Sequence, residues 1–213
     1  PPVYRIPIGS NIMSSPPKGF ERSAWRQQMG VADDELLLSY FGFLGPSKGV
    51  DVLLEALVRL RDAGVKAKLV MVGGASGDSN QSDRAYEARI REMADQPLLR
   101  GRVVWTGFTE SDKVSANLLA SDACVLPFRE GPSLRHGTLI AAIAHGLPII
   151  STRPRDLPPL QPTLRLVSGE NALLVEPGDV DSLADGIREV HQSPELRARL
   201  AAGSARLAAA FGW

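Results

Sequence analysis

The residues best equipped for chemistry in this chain lie in one stretch, Glu130-Gly131-Pro132-Ser133-Leu134-Arg135-His136-Gly137-Thr138. It joins an apolar run at 123–128 to a nearly pure apolar, Ala-rich segment at 139–145. A buried helix whose entrance is crowded with Ser, Arg, His, Gly and Thr needs a reason beyond packing. The first backbone N–H groups of a helix lack internal partners and carry partial positive charge. Arg135 and His136, with the hydroxyls of Ser133 and Thr138, supply what an anion pocket needs at such an entrance. The plainer reading is that Ser133 or Thr138 caps the helix while Arg135 is solvated. Local chemistry leaves both readings open.

The elements that must position this stretch follow a repeated strand, glycine-rich loop, helix pattern. Residues 36–43 form an apolar run followed by Gly45-Pro46-Ser47-Lys48-Gly49, then Val50, Leu53, Leu54, Leu57 and Leu60 at helical spacing. Strands are expected at 68–72, 102–106, 123–128, 147–152 and 172–175, with helices over 82–94, after Thr109-Glu110-Ser111-Asp112, and up to about residue 192. Ser193-Pro194-Glu195 reads as an N-cap with Pro at N1, opening a last helix to about residue 210. Strands separated by single helices imply parallel pairing with helices on both faces. The continuous apolar runs agree, since strands of a covered parallel sheet are buried on both sides. The expected fold is a doubly wound, Rossmann-like α/β sheet.

In such a sheet the strand-to-helix loops share the carboxyl edge, where ligands bind. The unusual loops are of that kind: 45–49, 73–77, 107–109 and 130–138, whereas 61–66 and 95–101 are ordinary polar connections. Any one glycine there is explained by a tight turn. Their joint placement on one rim points to a ligand.

Composition narrows the classes. At 213 residues the chain is most simply one domain, residues 1–213, with a sizeable core. A hydrophobic fraction of 44% and zero formal net charge describe a globular chain and argue against non-specific nucleic-acid binding. The single cysteine, Cys124, lies in an apolar strand and fits a reducing compartment as a buried structural thiol. No apolar run reaches transmembrane length.

The ordered pieces resemble the donor-binding half of GT-B glycosyltransferases of the large family 4, the group 1 glycosyl transferases. Arg5-Ile6-Pro7-Ile8-Gly9-Ser10-Asn11 resembles the opening of that half, and Gly42-Phe43-Leu44-Gly45-Pro46-Ser47-Lys48-Gly49 its G-x-L-x-x-x-K-G segment. Residues 68–73 and 102–108 are similar to K-L-x-x-x-G and V-x-x-x-G-F, and 120–127 to A-x-D-x-x-x-x-P. Ala144-His145-Gly146-Leu147-Pro148, Gly169-Glu170-Asn171-Ala172-Leu173-Leu174-Val175 and Pro177-Gly178-Asp179 complete the set in register.

The resemblance implies a retaining transferase that moves a sugar from a nucleoside-diphosphate sugar to an acceptor, with no metal and no cofactor. It gives Lys48 the donor diphosphate, against the plainer reading of a solvated turn lysine, and Glu130 the donor sugar; these two are the catalytic candidates. The helix entrance, with Ser133, Arg135, His136, Gly137 and Thr138, would meet the phosphates. Gly107, Phe108 and Thr109 would present backbone atoms to the base, and Gly45 and Gly73 complete the set. Catalysis would be mainly electrostatic, with Lys48, the helix N-terminus and Arg135 steadying the departing diphosphate. Asp122 and Pro127 read as structural, His145 as a helix cap and His191 as a surface residue.

Two positions depart from the family pattern. Phe43 stands where many members carry an arginine on the diphosphate, and Ala141 where a second glutamate holds the ribose hydroxyls. Three extra residues fall between Glu130 and Ala141, and Arg135 within them is the expected substitute for the missing arginine. The resemblance further implies that the chain begins where the second half of such an enzyme begins, without the N-terminal acceptor domain. The isolated domain would then fold but transfer nothing. The parent would be cytoplasmic, with room for peripheral attachment at the inner membrane face. Phe43 and Ala141 favour an alternative, a non-catalytic GT-B homologue used for binding or assembly. A dinucleotide-binding oxidoreductase is remote, because no G-x-G-x-x-G follows the first strand.

Overall fold

The computed structural model describes residues 10–73, 81–133, 136–154 and 165–209. The elements run α1 (Arg22–Gln28), β1 (Leu36–Phe41), a single 3-10 turn (Pro46–Lys48), α2 (Val50–Asp62), β2 (Ala67–Val72) and α3 (Gln81–Asp95). They continue with β3 (Val103–Gly107), α4 (Ser111–Ala120), β4 (Ala123–Leu126), α5 (Gly137–Ala144), β5 (Ile149–Thr152), β6 (Leu173–Val175), α6 (Val180–Gln192) and α7 (Pro194–Ala208).

All six strands pair in parallel in the order β3-β2-β1-β4-β5-β6. Helices α2, α3 and α6 pack together on one face, while α1 with α4 and α5 with α7 pack on the other. The doubly wound sheet expected from the sequence is therefore the observed one. Burial explains the continuous apolar strands: every residue of β4 and β5 is buried, as is nearly all of β1 and β2. The helical stripe of α2 does the same work, with Val50, Leu53, Leu54, Leu57 and Leu60 all in the core. The outer strand β3 is only half-buried along its length.

Strand order fixes where a ligand can sit. The chain leaves β1 in one direction through β2 and β3, then returns to lay β4 on the other side of β1. The loops after β1 and β4 therefore flank the switch point at the carboxyl edge, where ligands of such sheets bind. Their described parts are 42–49 and 127–133 with 136, within the two stretches that the sequence singles out.

Several boundaries differ from the expected ones. β1 stops at Phe41 and β4 at Leu126, short of 43 and 128, because the chain turns into the rim loops. Gly42 has φ 135, and the Phe128 N–H turns back to the Leu126 carbonyl. α5 begins earlier, at Gly137. The helix after residue 110 has no side-chain cap: Glu110 occupies the N-cap position without such a bond. Helix α1 has no counterpart in the sequence reading. No described helix is long and apolar enough to cross a membrane.

Candidate functional site

Two loops are locked together at the switch point. Gly49 has φ 67, and a Cβ there would lie 2.1 Å from the Pro127 carbonyl oxygen. Only glycine permits that approach. From the other loop Arg129 reaches back three times: its N–H donates to the Ser47 carbonyl, its Nε–H to the Pro46 carbonyl, and a guanidinium N–H to Asp51 Oδ2 at 2.6 Å. Asp51 is buried in the first turn of α2, where a carboxylate favours the helix dipole. Tyr86 of α3 donates its hydroxyl proton to Asp51 Oδ1 at 2.8 Å and accepts the Asp51 N–H at 3.1 Å. Asp51 thus ties both rim loops and α3 to one point.

That frame sets Lys48 at the end of the 3-10 turn, half-buried, with Nζ 5.2 Å from the centroid of the Phe128 ring. Burial lowers the lysine below its ordinary value, and the Asp83 carboxylate partly offsets the shift. A partly desolvated ammonium at the carboxyl edge is suited to an anion. His136 packs against the same Phe128 ring in a tilted contact, centroids 4.2 Å apart. Burial and the Lys48 charge hold its ring below the ordinary histidine value.

His136 is the N-cap residue of α5 and makes no side-chain cap bond. The backbone of Ser133 is tied to this entrance: its carbonyl accepts the His136 N–H at 2.8 Å, and its N–H donates to His136 Nδ1 at 3.2 Å. The half-buried Thr138 packs against the β1 loop, its Cγ2 2.7 Å from where a Cβ on Gly42 would be. Gly137, Thr138, His136 and Lys48 therefore meet at the switch point. Glu130 is exposed within the turn that the Gly131 N–H closes onto the Phe128 carbonyl.

A second group of predicted residues lines the rim beyond β1. Gly73 forms a bridge with Gly107, donates its N–H to Thr106 Oγ1 at 3.2 Å, and lies so close to Gly42 that a Cβ would be 3.2 Å from its carbonyl oxygen. Thr109 is half-buried, while Phe108 is 88% exposed. Gly45 is buried and caps the 3-10 turn without a side-chain bond. Arg135 lies outside the described residues, as do residues 5–9, 74–77 and 211–213.

The remaining sequence assignments resolve simply. Asp122 accepts the Leu37 N–H at 2.7 Å and ion pairs with Arg22 and Arg26 at the opposite, amino edge. His145 is the C-cap residue of α5; its Nδ1 bonds the Ala141 carbonyl and its Nε2 the Ser115 hydroxyl. His191 is half-buried, and its carbonyl accepts a guanidinium bond from Arg197. Ala141 is fully buried, and Phe43 is 59% exposed. Sequence reasoning missed Arg129, Asp51 and Tyr86. The one available signal was an acidic residue in the first turn of a helix that follows a glycine loop.

Two clefts, of about 540 and 520 Å³, open elsewhere. The first lies at the amino edge among Arg22, Arg26, Asp122 and His191; the second borders β6 and is lined by Asp179, Asp181, Asp185 and Glu189. Neither includes a rim residue. The first is lined in part by the paired Arg22, Arg26 and Asp122, and the second is an acidic surface groove. The half-buried lysine and the entrance of α5 converge at the rim instead.

Comparison with known proteins agrees with this fold. The family described as "Glycosyl transferases group 1" matches residues 21–206. A D-inositol 3-phosphate glycosyltransferase of Saccharomonospora viridis is 30% identical over 196 residues, 90% of this chain and 43% of that protein. A GDP-mannose-dependent monoacylated alpha-(1-6)-phosphatidylinositol monomannoside mannosyltransferase of Corynebacterium glutamicum is 26% identical over 223 residues, 100% of this chain and 53% of that one. Among solved structures, sucrose-phosphate synthase from Thermosynechococcus elongatus superposes with a TM-score of 0.73 at 26% identity, covering 98% of this chain and 48% of that chain. The chain spans about half the length of the relatives it matches.

Proposed function

The chain belongs to the group 1 glycosyl transferases, and on that footing we propose that it is the donor-binding domain of a retaining transferase using a nucleoside-diphosphate sugar. The observation that carries this reading is the meeting of Lys48, His136 and the N-terminus of α5 at the β1/β4 switch point. A diphosphate seated there receives an ammonium, an imidazole and the positive end of a helix dipole. As the anomeric carbon–oxygen bond breaks, negative charge grows on the departing diphosphate, and these fixed groups stabilise it most at that moment. Glu130, exposed beside them, is suited to the sugar hydroxyls. Gly73, Gly107, Phe108 and Thr109 lie further along the same rim, toward the base. The proposed mechanism draws its electrostatic stabilisation from the protein and calls on no metal. Acceptor binding is assigned to a separate domain, because the relatives carry about as much chain again beyond the matched part.

Thermal unfolding against UDP, GDP, ADP and their sugar conjugates tests the reading, with Lys48→Ala alongside. A ligand at a hundred times its dissociation constant adds about 2.7 kcal/mol. One nucleotide should stabilise the protein and lose that effect in Lys48→Ala. Indifference to every nucleotide would overturn the proposal. A second reading, a homologue that binds without turnover, is favoured by Ala141: its methyl is fully buried and offers nothing to ribose hydroxyls. Transfer by a chain that includes the acceptor domain would eliminate it.

A further inference from the structure

The protonation state of His136 is set by its surroundings. The Ser133 N–H donates to Nδ1, which can accept only while it carries no proton, so the neutral ring holds its hydrogen on Nε2. A tilted contact with the Phe128 ring, planes 31° apart, restricts the orientation of the imidazole. The charged groups around it come from every neighbouring element. Lys48, on the 3-10 turn, lies over the same Phe128 ring, and Asp83 of α3 interacts with Lys48. Arg129 in the same loop is spent on Asp51, and Glu130 is exposed at the turn. The nearby positive charge of Lys48 and partial burial both oppose a second cation here. An entering diphosphate reverses that field, because two or more negative charges then face Lys48 and the ring together.

We infer, building on the donor-binding reading, that His136 is the second cationic partner of the diphosphate and takes up a proton from solvent as the anion binds. The added proton sits on Nδ1 and releases the Ser133 N–H from it. One neutral donor at Nε2 thus becomes three: two ring N–H groups and a backbone N–H, all in the loop that opens α5. His136 then fills the place that Phe43 vacates, and its contribution grows as pH falls. An arginine would give the same charge at every pH; a histidine makes donor affinity pH-dependent.

The chain has three histidines, so each ring can be followed by NMR in the unaltered protein. Without ligand, His136 should titrate below the ordinary histidine range. With saturating UDP, GDP or ADP, or with inorganic pyrophosphate, its midpoint should rise by about one pH unit or more, which corresponds to a roughly tenfold gain in affinity on acidification. Calorimetry at pH 7 in two buffers of different ionisation heat should show proton uptake that exceeds that of His136→Gln. The variant also separates this uptake from titration of the ligand's own phosphate. A nucleotide that binds and stabilises the protein while the His136 midpoint stays fixed would overturn this inference and leave the donor reading intact. Absence of binding by every probe would overturn both.

Discussion

A methyl group on Gly49 would sit 2.1 Å from the Pro127 carbonyl oxygen, on a residue already at φ 67. Backbone atoms cannot yield as a flexible side chain can, so Gly49→Ala must push the two rim loops apart. The expected cost is about 2 kcal/mol or more, from the left-handed conformation and the clash together. Urea unfolding reads the stability, and nucleotide affinity should fall with it because Lys48 is the residue immediately before Gly49. Unchanged stability would show that the loops are not held by this contact. Residues on this scale were unevenly legible in sequence. Lys48 and His136 could be singled out because their neighbours in the chain carry the signal. Arg129 and Asp51 could not, since their ion pair joins positions 78 residues apart and only the folded sheet brings them together. The missing carboxylate at Ala141 was visible, but that its methyl is sealed in the core was not.

Elements were read better than their ends. Helical spacing located α2, and Ser193 does cap α7, accepting the Leu196 N–H at 3.1 Å. Helix α1 escaped because its seven residues show no apolar stripe; tertiary bonds hold it instead. Arg26 donates to the Ala120 and Glu35 carbonyls and to Asp122, and Trp25 donates to Asn117. Asp122 is the hub, joining α1, β1 and the start of β4. Burial pushes its carboxyl upward, but the Leu37 N–H bond and the two arginines outweigh burial and hold it below the usual value. The sign follows: a carboxylate with a lowered folded-state pKa stabilises above its unfolded value, near 3.9, and loses that contribution as pH falls through the lower folded value. Urea midpoints should therefore drop from about pH 4 downward, and Asp122→Asn should be weaker at pH 7 with a shallower acid limb. Parallel curves for the two proteins would exclude Asp122 as the source of the acid sensitivity.

At the scale of the whole molecule, the sheet consists of two halves, β3-β2-β1 and β4-β5-β6, joined at a narrow seam. β1 and β4 pair only through Leu38 with Ala123 and Ser39 with Cys124, whereas β1 and β2 pair along their full length. Asp122 closes the seam at the amino edge, and the Gly49–Pro127 contact with the Arg129–Asp51 pair closes it at the carboxyl edge. The proposed donor bridges the same seam, taking Lys48 from the first half and the entrance of α5 from the second. A ligand that binds both halves of the folded sheet and neither half of the unfolded chain stabilises the closed arrangement by mass action. Local openings that separate the halves are then suppressed more than openings that leave the seam intact. Hydrogen exchange with and without bound nucleotide should show added protection at residues 41–50 and 127–138, reaching into β1 and β4. The outer strands β3 and β6 should gain less. Equal protection everywhere would mean that the sheet opens only as a unit. Protection confined to the outer strands would place the ligand away from the switch point.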